Sequence, residues 1–340
     1  MTKAAQPPGV ASLTLGWDVL ALCWAPPAEG EPATQLAVSS LLRTGNAVQL
    51  LRYDASTLTK QSGLLLPLPA PAVCLAFSPS AELLATAGDA LRLWRPDSDA
   101  AAHPELPVRA TVVELAAAED TFLALPQASL AWRPGGQALA VGNVDGTVAL
   151  WALAGKPCRA ERLSAHSGPC STVHRVGWRD ESTLLSAGGD GWARLWDLRG
   201  TSSPVLELQL PGAEVRQLRH VSWAPNGALL AAASQDASAV HLLDIRGGTW
   251  EASHVAELTL EAGHVSGLAW APGSDALAAA GTDGLLRVWP VAEPTLRAGR
   301  PLLPALGFDA GGELGSCDWA GAGAGSIVIA RRNGITVLPA

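Results

Sequence analysis

Seven times along the chain an apolar residue, a variable residue and an aromatic recur in that order, usually with a proline two positions later. The segments are LCWAP (22–26), LAFSP (75–79), LAWRP (130–134), VGWRD (176–180), VSWAP (221–225), LAWAP (268–272) and CDWAG (317–321). Their aromatics, Trp24, Phe77, Trp132, Trp178, Trp223, Trp270 and Trp319, are 53, 55, 46, 45, 47 and 49 residues apart. A period in the forties, with tryptophan, turn residues and short apolar runs, marks sheets that bury their faces against neighbouring copies. The repeat therefore predicts an all-β, seven-bladed β-propeller. Although 340 residues could hold two domains, a repeat filling 10–340 argues for one.

Each repeat runs in the same order. A strand carrying the aromatic is followed by a second apolar strand, a tight turn, and a third strand ending in Trp or Leu. Second strands read LLATAG (83–88), ALAVGN (138–143), LLSAGG (184–189), LLAAAS (229–234), ALAAAG (276–281) and SIVIAR (326–331). The turns carry Asp89, Asp145-Gly146, Asp190-Gly191, Asp236, Asp283-Gly284 and Asn333-Gly334. Asp-Gly and Asn-Gly predict two-residue hairpins, in which both central residues take positive φ. The expected blades are 16–60, 61–125, 126–165, 166–211, 212–260, 261–306 and 307–340 plus 10–15. The seventh repeat ends after its third strand, so VASLTL (10–15) is expected to supply the fourth and close the ring. Residues 26–34 lengthen the first hairpin of blade 1. Residues 96–127 form a long excursion, of which ATVVEL (110–115) is expected to supply blade 2's outer strand.

Composition narrows the function classes. A net charge of −8 disfavours direct nucleic-acid binding, which rests on Lys and Arg neutralising phosphates. The five cysteines include no CxxC pair, and Cys23, Cys74 and Cys317 lie within three residues of a blade aromatic. They read as small apolar core residues, kept reduced inside the cell. The first 17 residues carry two prolines and no sustained apolar run, unlike a signal peptide. No apolar stretch is long enough to suggest a membrane-spanning helix.

The turn Asp lies six residues before the closing Trp in Asp145/Trp151, Asp190/Trp196 and Asp283/Trp289. With Trp196-Asp197, this spacing resembles WD-repeat proteins. GWDVLALCWAP (16–26), LLATAGDALRLWR (83–95), LWDLR (195–199), LLDIR (242–246) and HVSGLAWAPGSDAL (264–277) sharpen the resemblance. Together they look like the plant transparent testa glabra WD-repeat regulators and their animal counterpart, a cullin-4-associated WD-repeat scaffold. The resemblance implies a non-catalytic scaffold without cofactors, cytoplasmic and nuclear, and monomeric outside its complexes. Implied partners are MYB and basic helix-loop-helix transcription factors, a protein kinase, or a ubiquitin-ligase adaptor. In cullin-4 substrate receptors a W-D-x-R ending contacts the adaptor, so Asp197, Arg199, Asp244 and Arg246 are the implied docking residues. A local Asp–Arg pairing is the competing reading. A second reading of the chain is a peptide or targeting-signal receptor.

Most first strands read apolar-x-x-apolar-x-aromatic. The x-x pair is His174-Arg175 in blade 4 and Arg219-His220 in blade 5, beside the central channel of an otherwise acidic protein. These four residues are a candidate anchor for an acidic segment of a partner, or alternatively a lining of the channel. Trp17 and Trp192 stand outside the repeat frame on connections opening to one face. Exposed there, they would suit binding hot spots; laid flat over a blade, they would not. Trp250 belongs to the opposite face or rim.

Gly263-His264 lies only six residues before Trp270, and His166 twelve before Trp178. The usual structural Asp–His pair is therefore not expected to support this fold. Catalytic signals are weak. GAGAGS (321–326) precedes a strand and lacks Gly-Lys-Ser/Thr, and reads as a hairpin turn. His166, Cys170 and His174 straddle a loop-to-strand transition with no CxxC, so no metal site is expected. No Gly-x-Ser-x-Gly elbow appears, and the chain is not expected to be an enzyme.

Overall fold

The computed structural model describes residues 10–27, 35–42, 45–54, 57–95, 111–113, 127–153, 159–164, 172–200, 203–210, 217–246, 250–291, 302–320 and 326–339. Among them the strands form seven four-stranded antiparallel sheets spanning 18–67, 74–113, 127–164, 173–209, 218–259, 265–309 and 314–339. The aromatic-bearing strand is innermost in every sheet. These inner strands pack against one another around the ring, blade 7 against blade 1 included. The molecule is a seven-bladed propeller.

The seventh sheet is completed by Ala11–Thr14, which pairs with Gly334–Pro339. Ala11 stands opposite Val337 and Thr14 opposite Gly334. The Leu15 amide continues the ladder to the Asn333 carbonyl at 3.0 Å, and the Ser12 and Thr336 hydroxyls meet at 3.0 Å. The start of the chain thus covers the strand edge at its end. Thr111–Val113 pairs with Arg92–Arg95 as the outer strand of blade 2. The rest of the expected excursion, 96–110 and 114–126, lies outside the described residues, as do 28–34 of the blade 1 insertion.

Two blade limits differ from expectation. Blade 1's outer strand, Thr57–Pro67, runs past residue 60 because its register breaks opposite Leu50, with Gln49 paired to Leu65 but Leu51 to Lys60. Blade 6 closes with Leu306–Asp309 and so crosses the limit at 306.

The core is divided into seven buried clusters among the described residues, each between adjacent blades. Between blades 3 and 4, Ala140 and Val148 meet Val173, Leu184 and Trp196. At the seam, Trp24 and Leu36 of blade 1 meet Val328 and Ile335 of blade 7. Apolar faces that one sheet cannot bury alone are covered by its neighbour, so closing the ring removes the last open face.

The turns correct one expectation. Gly146, Gly191 and Gly284 have φ of 88°, 82° and 86°, yet their Asp partners do not take positive φ. Each glycine amide donates three residues back, as Gly191 does to Gly188 at 3.2 Å, closing a turn that ends in a left-handed glycine. The Asp carboxylate instead accepts from the amide two residues on: the Thr147 amide donates to Asp145 at 3.0 Å, and those of Trp192 and Leu285 donate to Asp190 and Asp283 at 3.1 Å. That side-chain bond competes successfully with the two-residue hairpin.

Two of these carboxylates, Asp190 and Asp283, also hold an arginine of the following strand. Arg287 reaches Asp283 at 2.7 Å with side chains 6% and 10% exposed, and Arg194 reaches Asp190 at 2.6 Å. Desolvation pushes Asp283 upward, but bonds from Arg287 and the Leu285 amide hold its pKa below the usual carboxylate value. Arg92 forms the shorter-spaced equivalent with Asp89.

Candidate functional site

The apolar-x-x-apolar signature has a backbone cause. On the inner strand of blade 4, Val173–Trp178, Val173 pairs with Gly188 but Arg175 with Ala187, leaving His174 as an extra residue. On Leu218–Trp223 of blade 5, Leu218 pairs with Ser234 and His220 with Ala233, leaving Arg219 extra. Blades 1, 3, 6 and 7 carry the same β-bulge near the start of the inner strand. A bulge interrupts the two-residue alternation and re-aims the side chains beside it.

The four predicted basic groups therefore separate into two levels. Arg175 and His220 line the channel, where a cavity of about 370 Å³ lies between the inner strands. Arg219 is exposed at the face, and His174 is half-buried with its Nε2 3.1 Å from Gln217 Oε1, bridging blades 4 and 5. The levels remain coupled. Desolvation, then Arg175, Arg219 and His174, push the His220 pKa down to about 3. His220 is consequently neutral at physiological pH, and its enclosed Nδ1 has no hydrogen-bond partner among the described residues.

Across the channel, blade 7 contributes Asp318. Its carboxylate accepts the Trp24 amide at 2.8 Å and the Trp319 amide at 2.9 Å. Desolvation nevertheless raises its pKa to about 6, against these bonds and the pull of Arg175. The position immediately before the inner aromatic is Cys23, Ala76, Ala131, Gly177, Ser222 and Ala269 in the other blades. Sequence reasoning missed this carboxylate; aligning the seven repeats exposes it as the single charged residue in a ring of small ones. Cys23, Cys74 and Cys317 also reach the cavity and are buried free thiols. Burial raises Cys317 to about 12 and Cys23 well above its ordinary value, so neither is a thiolate nucleophile at neutral pH.

The connections entering the inner strands and those joining second to third strands open on one face, because the sheets are antiparallel. His174 and Arg219 belong to that face, and so do Trp17 and Trp192. Neither tryptophan stands free there: both are half-buried. Trp17 packs against the core between blades 7 and 1, and Trp192 lies 5.9 Å from the Arg194 guanidinium. Each is anchored before any partner arrives, Trp17 by the seam between blades 7 and 1 and Trp192 by its own blade. Exposed aliphatics on this face are Leu41, Leu42, Val73 and Val144, at 47%, 37%, 42% and 38%. Trp250, on the opposite face, packs half-buried against the blade 4–5 core, with Arg179 6.0 Å from its ring.

The third strands Trp192–Asp197 and Ala239–Arg246 end toward the opposite face. Arg199, 71% exposed, donates to both carboxylate oxygens of Asp197 at 2.9 and 2.8 Å. Asp244 is half-buried, and the side chain of Arg246 lies outside the described residues. His166, Cys170 and 321–325 also lie outside them. Among the described residues no group of three His, Cys, Asp or Glu side chains is placed to hold a metal ion. No helix among them is long and apolar enough to cross a membrane.

Comparison with known proteins agrees with this architecture. Residues 156–197 and 255–290 match the WD domain, G-beta repeat family. The chain is 27% identical over 262 residues to a Dictyostelium discoideum protein named DDB1- and CUL4-associated factor 7 homolog, covering 76% of this chain and 74% of that protein. It is 24% identical over 327 residues to an uncharacterized WD repeat-containing protein of Schizosaccharomyces pombe, covering 87% and 72%. A shorter stretch of 104 residues is 35% identical to the probable cytosolic iron-sulfur protein assembly protein Ciao1 of Culex quinquefasciatus, 30% of each chain.

Proposed function

We propose that this propeller of WD repeats is a non-catalytic protein-interaction scaffold that docks an acidic segment of a partner at the channel mouth of blades 4 and 5. One observation carries the reading. Matching bulges on adjacent inner strands set Arg219 and His174 at the mouth and Arg175 just inside it, beside neutral His220, on a protein whose net charge is −8. Local positive potential on an acidic surface selects acidic partners and repels basic ones. Half-buried Trp17 and Trp192 lend apolar contact on the same face.

A scaffold acts by raising effective concentration, so two surfaces are needed. The second is the opposite face, carrying Asp197-Arg199 and Asp244-Arg246. Similarity to a relative whose name refers to DDB1 and CUL4 supports the reading that this face meets a ubiquitin-ligase adaptor. Transcription regulators or a protein kinase are the cargo classes, in cytoplasm and nucleus.

Affinity purification followed by mass spectrometry tests the reading. Arg175→Glu with Arg219→Glu is expected to remove acidic-segment partners while adaptor recovery persists; Arg199→Ala with Arg246→Ala is expected to do the reverse. An unchanged partner set in the first variant rejects the docking patch, and unchanged adaptor recovery in the second rejects the ligase role.

A further inference from the structure

Away from the channel, blade 5 holds two imidazoles in direct contact. His241 lies on its third strand, Ala239–Arg246, and His254 on its outer strand, Glu251–Thr259. His241 Nδ1 and His254 Nε2 stand 3.1 Å apart, with ring centroids separated by 5.3 Å and planes inclined at 59°. Neither ring has another hydrogen-bond partner among the described residues.

A β-bulge creates this contact. His241 pairs with Glu257 and Leu242 with Ala256, but Leu243 pairs with His254, leaving Val255 as the extra residue. In an unbroken register His254 would stand opposite Asp244, on the other side of the sheet. The bulge instead turns His254 onto the face that carries His241, Leu243 and Glu257. Leu243 is buried in the core between blades 4 and 5, which anchors this face of the strand pair. His254 is exposed, so the two nitrogens are open to solvent.

The spacing suits a metal ion. A divalent transition metal about 2.0–2.1 Å from each of two imidazole nitrogens holds them roughly 3 Å apart, at angles between the square-planar and tetrahedral values. His241 and His254 already have that separation, on strands that need not move. Imidazole nitrogen selects zinc, copper and nickel over magnesium and calcium, which prefer oxygen. Glu257 adds negative charge on the same face, and the net charge of −8 favours an arriving cation.

We infer that His241 and His254 form a surface binding site for one zinc(II) ion, held by His241 Nδ1 and His254 Nε2 with water in the remaining positions. The hydrogen now shared between the rings moves to the far nitrogen of the ring that carries it, so both facing nitrogens offer lone pairs. The ion then bridges the third and outer strands where the bulge interrupts their pairing. Because the unfolded chain does not hold the rings at this spacing, binding adds to stability. The site shares no residue with the docking patch, and neither inference rests on the other.

Isothermal titration of the metal-free full chain with zinc chloride, and separately with magnesium chloride, tests the inference. One zinc ion per chain is expected to bind at micromolar concentration and to raise the thermal unfolding midpoint, and magnesium is expected to do neither. His241→Gln and His254→Gln are each expected to weaken zinc binding tenfold or more and to cancel the rise. Both keep a polar side chain at a strand position that is not fully buried, and circular dichroism verifies folding; should one fail to fold, the other carries the test. His264→Gln, at an exposed histidine of blade 6, is expected to change neither reading. Absence of zinc binding by the parent overturns the inference. So does undiminished binding by a folded His241→Gln or His254→Gln chain, or an equal loss in His264→Gln.

Discussion

The indole N–H of Trp178 donates to the Ala131 carbonyl at 3.1 Å, tying the inner strand of blade 4 to that of blade 3. Trp132 does the same to Ala76, and Trp270 to Ser222, each at 3.0 Å. The acceptor is always the residue preceding the previous blade's aromatic. A cation completes the joint in blade 4, where Arg133 lies 5.4 Å from the Trp178 ring. Trp223 has the matching cover from Arg179 at 5.4 Å, yet its N–H has no partner among the described residues.

Trp178→Phe is therefore expected to cost about 1 kcal/mol or more by urea denaturation, because it removes the donor and leaves the Ala131 carbonyl unpaired. Trp223→Phe removes an N–H that is already unsatisfied and is expected to cost less than half as much. Equal losses at the two positions would refute the inter-blade bond as a source of stability.

A second pair of tryptophans supports a reciprocal experiment. Trp196 donates to Ser186 Oγ at 3.0 Å, both buried, whereas fully buried Trp289 has no acceptor among the described residues. Trp196 pairs with Leu184 and Trp289 with Leu277, so Ala279 occupies the place of Ser186. Ser186→Ala is expected to destabilise by about 1–3 kcal/mol, and Ala279→Ser to stabilise by about 1 kcal/mol. Thermal unfolding midpoints moving in the same direction would contradict this.

The latch has its own weak point. A Cβ placed on Gly334 collides with the Leu13 carbonyl oxygen of the closing strand, whereas one on Gly312 meets open space. Gly334→Ala is expected to cost about 1–3 kcal/mol and to speed proteolysis near residues 10–15. Gly312→Ala serves as the neutral control. Indistinguishable cleavage rates in the two variants would show that the strand is not held there.

Acid response is set by two channel residues working against each other. His220 titrates near 3 in the folded protein against 6.5 ordinarily, so acidification between those values protonates the unfolded chain first and lowers stability. Asp318 titrates near 6 against 3.8, so its folded form takes the proton first and acidification through that window raises stability. Relative to the parent, His220→Gln is expected to lose less stability between pH 7 and pH 4, and Asp318→Asn to lose more. Unfolding midpoints across that range decide it, and parallel curves for all three proteins would reject both assignments.

Much of this architecture is legible in the chain alone. The aromatic period specifies seven radial sheets, because each sheet is apolar on both faces and is stable only between copies of itself. The order of strands within a blade and the terminal latch follow from counting apolar runs. Local turn chemistry was less legible: Asp-Gly is compatible with more than one hairpin, and the carboxylate's bond to the amide two residues on selected the one seen at Asp190 and Asp283. The sequence placed His174, Arg175, Arg219 and His220 beside one another as a set. Only the folded ring divided them, because the bulges at His174 and Arg219 re-aim successive side chains. Only the ring, too, brought Asp318 opposite Arg175, residues 143 positions apart. Repetition is a one-dimensional property and survives in the sequence, whereas proximity across a closed channel exists only once the two ends of the chain have met.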